Sequence, residues 1–155
     1  MPVSPLARRR RSALLLVSTT AVAATAGLAV PAAFGDDART NQFEVTCEGQ
    51  RPSHVGTAGD DRIDGTPGDD VIYAGAGNDV VRGQGGNDII CLGLGDDRGE
   101  GTVGDDLILG EDGDDVINLG ADDDTARGGP GDDVIVGGPG DDILRGTYAR
   151  DRLDG

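Results

Sequence analysis

An aspartate recurs at every ninth position between residues 61 and 151, and no occurrence is replaced by another residue. Aspartate or asparagine precedes it each time except at Arg150. Adjacent carboxylates repel one another unless a cation lies near them, and carboxylate oxygens are preferred ligands of hard divalent cations. We therefore take the recurring aspartates as candidate metal ligands: Asp61, Asp70, Asp79, Asp88, Asp97, Asp106, Asp115, Asp124, Asp133, Asp142 and Asp151.

These aspartates occupy the sixth position of a nine-residue unit that runs eleven times from residue 56 to residue 154 without an insertion or deletion. Position four is glycine in nine units, and position eight is Ile, Leu or Val in all but Gly99 and Ala126. A disordered acidic chain requires a composition but no fixed phase. The strict period therefore predicts an ordered repeat fold.

Each unit divides into a glycine-rich turn of six residues and a strand of three, such as residues 71–73. Glycine at positions one and four permits tight turns, and the triplet Val-Ile-Tyr suits a strand. So short a strand is not stable alone, but stacked turns would pair it with the strand two units later. The sequence thus predicts an all-β fold, a right-handed parallel β-roll (β-solenoid) with two nine-residue repeats per turn and the eighth-position side chains inside.

The units GGPGDDVIV and GGPGDDILR, at residues 128–136 and 137–145, match the pattern G-G-x-G-x-D-x-U-x at every specified position. In this respect the chain resembles the RTX, or haemolysin-type calcium-binding, family over 99 residues. The resemblance implies that turn carbonyls and the sixth-position aspartates bind Ca²⁺ between unit n and unit n+2. Eleven units then offer up to about nine calcium sites, with weaker ones where Asp122 and Ala149 replace the fourth-position glycine.

The composition supports a fold that depends on a cation. The chain of 155 residues has 3% aromatic residues, no Trp, 28 Gly and a formal net charge of -16, so a core of large side chains cannot form. Such an acidic surface also argues against binding to nucleic acid. Like charges and glycine entropy oppose folding without Ca²⁺, and the fifth-position acids add charge near the ion. We expect folding to be coupled to Ca²⁺ binding.

The first 35 residues predict a secretory signal peptide, and hence a secreted, extracellular protein. Four arginines at residues 8–11 precede an apolar stretch at residues 13–30, and small residues allow cleavage between Ala32 and Gly35. The length of the apolar stretch leaves an uncleaved membrane anchor as an alternative. Residues 36–55 are then a leader or cap segment, and residues 56–155 form the roll.

Cys47 and Cys91 are the only cysteines, and export would permit a disulfide between them. In the predicted roll the outward positions of even-numbered units are mostly apolar, whereas those of odd-numbered units are mostly charged. We expect residues 41–49 to lie on the apolar even face, with Phe43 and Val45 docked there and Cys47 bonded to Cys91. The alternatives are two free thiols or an intermolecular bridge.

The sequence gives little support for catalysis. Ser53 and His54 are the only Ser and His after residue 35, and adjacent residues of this kind do not predict a catalytic triad. Eleven equivalent aspartates also provide no distinct acid and base. We therefore expect a non-catalytic calcium-binding protein. Its role stays open between a soluble calcium-binding module and a calcium-dependent adhesin or matrix protein that uses the apolar face for a cell-surface or self-association partner.

Overall fold

The computed structural model describes residues 45–155, and this part of the chain contains twelve β-strands and no helix. The predicted signal peptide and Phe43 lie outside the described residues. None of the described residues belongs to a helix that could cross a membrane. The strands are β1 (His54–Val55), β2 (Arg62–Asp64), β3 (Val71–Ala76), β4 (Val80–Gly85), β5 (Ile89–Leu94), β6 (Arg98–Val103), β7 (Leu107–Asp112), β8 (Val116–Ala121), β9 (Thr125–Pro130), β10 (Val134–Val136), β11 (Ile143–Tyr148) and β12 (Arg152–Asp154).

Consecutive strands alternate between two parallel sheets of six strands each. One sheet has the order β1-β3-β5-β7-β9-β11 and the other the order β12-β10-β8-β6-β4-β2. Within a sheet, each residue pairs with the residue one full turn later, as Ile72 does with Ile90 and Ile90 with Ile108. This register confirms the predicted parallel β-roll with two nonapeptides per turn.

The strands are longer than the sequence predicted. Eight of the twelve have six residues, because pairing continues from positions seven to nine into the first three positions of the next unit. Gly75 and Gly93, at position two, pair with each other and both have a positive φ (118° and 112°). A Cβ on Gly93 would overlap the carbonyl oxygen of Gly75. Glycine here lets the chain bend without losing its strand partner, so the turn shrinks to positions four to six.

The space between the sheets holds the eighth-position side chains, as predicted, except that of Leu153 in the last unit, which is 45% exposed, together with three first-position side chains that were not predicted. Ala74, Leu92 and Leu119 are fully buried in this core. Leu92 belongs to the same unit as Gly99, and its Cδ1 lies 3.2 Å from the place where a Cβ of Gly99 would stand. Leu119 and Ala126 repeat this combination in the eighth unit. A large first-position residue thus fills the space left by a small eighth-position residue.

A disulfide bond joins Cys47 to Cys91 on the outer surface of the sheet that contains β5. Cys47 is fully buried there beside Leu109, and backbone hydrogen bonds between Cys47 and Gln50 close a tight turn that holds it. Val45 remains 45% exposed, so the expected docking of Val45 is not observed. Cys47 itself covers the apolar face, and four half-buried side chains pack against this cluster: Val71, Tyr73, Ile89 and Leu107.

Candidate metal sites

The sixth-position aspartates are buried at the edges of the roll, where each turn leads into a strand. Eight of them are at most 5% exposed: Asp70, Asp79, Asp88, Asp97, Asp106, Asp115, Asp124 and Asp133. The backbone N–H of each donates to Oδ1 of the aspartate one full turn later, for example from Asp79 to Asp97 at 2.7 Å and from Asp97 to Asp115 at 2.9 Å. This ladder fixes the carboxylates in the same orientation in successive turns.

The second carboxylate oxygen has no partner in eight of these residues. Oδ2 is buried without a hydrogen bond in Asp79, Asp88, Asp97, Asp106, Asp115, Asp124, Asp133 and Asp142. A buried polar atom without a partner lowers stability, and a buried charge does so more strongly. Eight repetitions of the same arrangement indicate a position that a positively charged group completes.

Burial makes ionisation of these carboxyl groups unfavourable. Loss of solvent raises the pKa of Asp106 and Asp115 to about 7 and that of Asp97 and Asp124 to about 6. The backbone hydrogen bond lowers each pKa in part, and neighbouring aspartates raise it further. A divalent cation beside these oxygens would favour the ionised form.

In five of the eight units the unpartnered oxygen lies directly beside a first-position glycine, whereas the other three units have Ala74, Leu92 and Leu119 at that position. A Cβ on Gly101 would overlap Oδ2 of Asp106 and come within 2.5 Å of the carbonyl oxygen of Leu119, one turn later. A carboxylate oxygen and a backbone carbonyl oxygen from the next turn therefore lie close together beside this glycine. Both are the hard oxygen ligands that Ca²⁺ takes. The donor set fits calcium.

Side chains alone do not form a metal site anywhere in residues 45–155. No group of three or more His, Cys, Asp or Glu side chains there is close enough to hold an ion. A bound ion would therefore need backbone carbonyls for most of its ligands. This requirement suits Ca²⁺, which accepts carbonyl oxygens, and does not suit Zn²⁺, which takes Cys and His ligands.

The fifth-position residues have a structural role that the sequence analysis missed. In the first nine units the fifth-position residue accepts a hydrogen bond at Oδ1 from the fifth-position N–H one turn later, as from Asp96 to Asn78 at 3.3 Å and from Asp114 to Asp96 at 3.1 Å. Asparagine and aspartate both supply this oxygen, which explains why the sequence uses both at position five. The alternation of Asp and Asn at position five could have revealed this role.

Position six has a different requirement. Asparagine there could still accept the N–H of the neighbouring turn, but its amide group would replace the unpartnered Oδ2 with an NH2 donor. The sequence has no asparagine at position six. Position five therefore needs only a hydrogen-bond acceptor, whereas position six needs a full carboxylate.

Asp61 and Asp70, in the first two units, differ from the other aspartates. Oδ2 of Asp61 accepts hydrogen bonds from the backbone N–H of Thr57 at 2.6 Å and from its hydroxyl at 2.9 Å. Thr66 donates to Oδ2 of Asp70 at the same two distances. In the last unit, Asp151 accepts the N–H of Asp133 at 3.2 Å and is partly exposed.

Ser53 and His54 lie beside Asp70 but not in a catalytic arrangement. Ser53 Oγ donates to Oδ1 of Asp70 at 3.0 Å and accepts the N–H of Val71 at 3.1 Å. Nδ1 of His54 lies 3.0 Å from Ser53 Oγ and 3.5 Å from Asp70 Oδ1. A triad requires one imidazole nitrogen for the hydroxyl and the other for the carboxylate. The three side chains instead close the first turn of the roll.

The family comparison agrees with this geometry. A family described as RTX calcium-binding nonapeptide repeat (4 copies) matches residues 55–90, 93–126 and 127–155. No curated protein matches the chain. The matched residues cover most of the two sheets and all of the sixth-position aspartates. The chain belongs to the family of RTX calcium-binding nonapeptide repeat proteins.

Proposed function

We propose that this protein is a secreted, non-catalytic calcium-binding module whose β-roll forms as Ca²⁺ binds. The observation that carries the proposal is the buried, unpartnered Oδ2 repeated in eight successive units. We assign these aspartates as ligands, together with turn carbonyls: Asp79, Asp88, Asp97, Asp106, Asp115, Asp124, Asp133 and Asp142. Asp61, Asp70 and Asp151 were predicted as ligands from the repeat, but they lack an unpartnered buried oxygen.

The coupling to folding follows from what these carboxylates do without a cation. Each is held in place by the N–H of a neighbouring turn, and each places an ionised oxygen in a site shielded from water. In addition to burial, the aspartates one turn before and one turn after raise the pKa of Asp106 and of Asp115. Calcium supplies positive charge and replaces the lost hydration. Because the unfolded chain does not assemble these oxygens, binding favours the folded state.

Circular dichroism of the purified protein tests this coupling. We expect the β-sheet signal to rise with added Ca²⁺, to disappear with excess chelator and to respond less to Mg²⁺, which tolerates fewer protein ligands. The coupling is wrong if the protein shows its full β-sheet signal in chelator. Calcium binding itself is tested separately by isothermal titration.

Secretion is supported by the disulfide, because such bonds persist in oxidising compartments. We expect the protein recovered from the culture medium of producing cells to begin between residues 32 and 36, as N-terminal sequencing would show. Intact chains retained in the membrane fraction would favour the anchored alternative.

Self-association through the apolar face of the even-numbered units is the alternative role. Less of this face is exposed in the structure than the sequence predicted. Cys47 and the disulfide occupy part of that face, where Leu109 is buried, although Ile143 further along is 51% exposed. We expect sedimentation velocity to show a monomer with and without Ca²⁺. An oligomer that forms only with Ca²⁺ would support the adhesive role.

A further inference from the structure

The first two units differ from all later units in the backbone at position two. From the third unit onward this residue has a positive φ, whatever its type: Gly75, Gln84, Gly93, Thr102, Glu111, Gly120, Gly129, Gly138 and Thr147. Thr57 and Thr66 hold position two in the first and second units without a positive φ. Two backbone conformations therefore exist for the same position of the repeat.

The conformation of the first two units directs both threonine donors to the aspartate of the same unit. The N–H and the hydroxyl of Thr66 lie 2.6 Å and 2.9 Å from Oδ2 of Asp70, the oxygen that has no partner in the later units. Thr57 does the same for Asp61. Hydrogen bonds from the chain thus reach the oxygen that faces the candidate metal position elsewhere.

The other carboxylate oxygen of Asp70, Oδ1, also has a hydrogen-bond donor, although the donor differs from that of the later units. In later units Oδ1 accepts the backbone N–H from one turn earlier, but the residue at that distance from Asp70 is Pro52, which has no N–H. The hydroxyl of Ser53 takes its place at 3.0 Å. Asp70 is therefore fully paired by protein groups.

Threonine at position two is not sufficient for this pairing. The sixth unit contains the same arrangement, GTVGDD at residues 101–106, yet Thr102 has a φ of 106° and Oδ2 of Asp106 has no partner. Thr102 pairs with Gln84 of the preceding turn and Gly120 of the following one. Thr57 and Thr66 accept backbone hydrogen bonds from the following turn, but no repeat unit lies one turn before them. A repeat unit one turn earlier thus accompanies the positive φ, even at Thr147, which has a strand partner on one side only, and the absence of that unit leaves threonine free to turn toward the carboxylate.

We propose that the first two units form a calcium-independent end of the roll, in which Thr57 and Thr66 replace the ion and Asp61 and Asp70 bind no metal. This inference rests on the proposed calcium function. It predicts that calcium sites begin at the third unit, so that at most seven of the nine pairings of unit n with unit n+2 remain. The roll then has a fixed first turn on which the calcium-dependent turns stack.

Counting bound ions in two matched variants tests the proposal. Asp70→Asn and Asp88→Asn change the same position in adjacent turns of one edge, and asparagine keeps an Oδ1 acceptor in both, for the hydroxyl of Ser53 and for the N–H of Asp70 respectively. By native mass spectrometry at saturating Ca²⁺, we expect Asp70→Asn to carry as many ions as the unchanged protein and Asp88→Asn to carry at least one fewer. If Asp70→Asn also loses an ion, the inference is wrong while the calcium function stands. If the unchanged protein binds none, the calcium function itself fails.

A second pair of variants tests the threonine directly and does not depend on altering an aspartate. Thr66→Val removes a hydroxyl bonded to a buried carboxylate, whereas Thr102→Val removes one that does not contact Asp106 Oδ2. In saturating Ca²⁺ we expect Thr66→Val to lower Tm by about 4 °C or more with the ion number unchanged. Thr102→Val should change Tm little. An unchanged Tm for Thr66→Val, or a changed ion number, would overturn the proposal.

Discussion

At the scale of single residues, positions five and six of the repeat carry similar side chains with different tasks. The fifth-position oxygen accepts an N–H and is exposed, whereas the sixth-position carboxylate is buried and has an oxygen left over. Asp105 and Asp106 are adjacent and show both cases. The difference is therefore chemical and not a matter of location along the roll.

This difference predicts opposite responses to one substitution. We expect Asp106→Asn to lower the number of bound Ca²⁺ ions by at least one and the stability in Ca²⁺ by several kcal/mol, since charged hydrogen-bond or ion contacts of this kind contribute about 1.5–3 kcal/mol each. Asp105→Asn keeps its Oδ1 acceptor for the N–H of Asp123 and should change both little. Isothermal titration and urea unfolding in Ca²⁺ measure the two effects. Equal losses in the two variants would contradict the distinction.

At the scale of strands, the core depends on compensation between first and eighth positions. Leu92 on β5 fills the space opposite Gly99 on β6, and no other large side chain of that unit enters the core. We expect Leu92→Ala to lower the free energy of unfolding in Ca²⁺ by about 2–5 kcal/mol because it leaves a cavity. Leu94→Ala, on the same strand but 55% exposed, is the control and should have a small effect. A similar loss in both variants would mean that Leu92 does not act by filling the core.

The same strands show which features of the fold could be predicted from the sequence and which could not. The nine-residue phase was enough to predict the pairing of Ile72 with Ile90 and the inward eighth position, because both follow from the period alone. The burial of Leu92 was not predicted, since position one was assigned to the turn. Thr66 and Thr102 occupy equivalent positions in nearly identical units but differ in conformation, because only Thr102 has a repeat unit one turn before it. Such differences depend on neighbours in space and are absent from the repeat pattern.

At the scale of the whole molecule, the buried carboxylates concentrate negative charge along both edges of the roll, and protons can neutralise it as calcium can. Burial raises the pKa most in the middle of the roll, to about 7 at Asp106 and Asp115, and less toward the ends, to about 6 at Asp97 and Asp124. In the unfolded chain these groups titrate near the ordinary value of 3.8. The folded state therefore binds more protons than the unfolded state between about pH 4 and pH 7.

The consequence is an unusual pH dependence for the metal-free protein. A carboxyl group whose pKa is higher in the folded state than in the unfolded state lowers the stability of the fold. The loss is complete at pH values above the folded-state pKa and diminishes as the pH falls through that pKa. In chelator we therefore expect β-sheet content and resistance to urea to increase from about pH 8 to about pH 5, whereas Ca²⁺ affinity should fall over the same range because protons compete for the same oxygens. Below about pH 4 the gain should end, because Asp70 and Glu100, whose pKa values are lowered by hydrogen bonds to Thr66 and Arg98, then lose their favourable charge. Circular dichroism and calcium titration across this range measure both trends. If the stability of the metal-free protein to urea decreased steadily from pH 8 to pH 5, the buried carboxylates would not be what limits it.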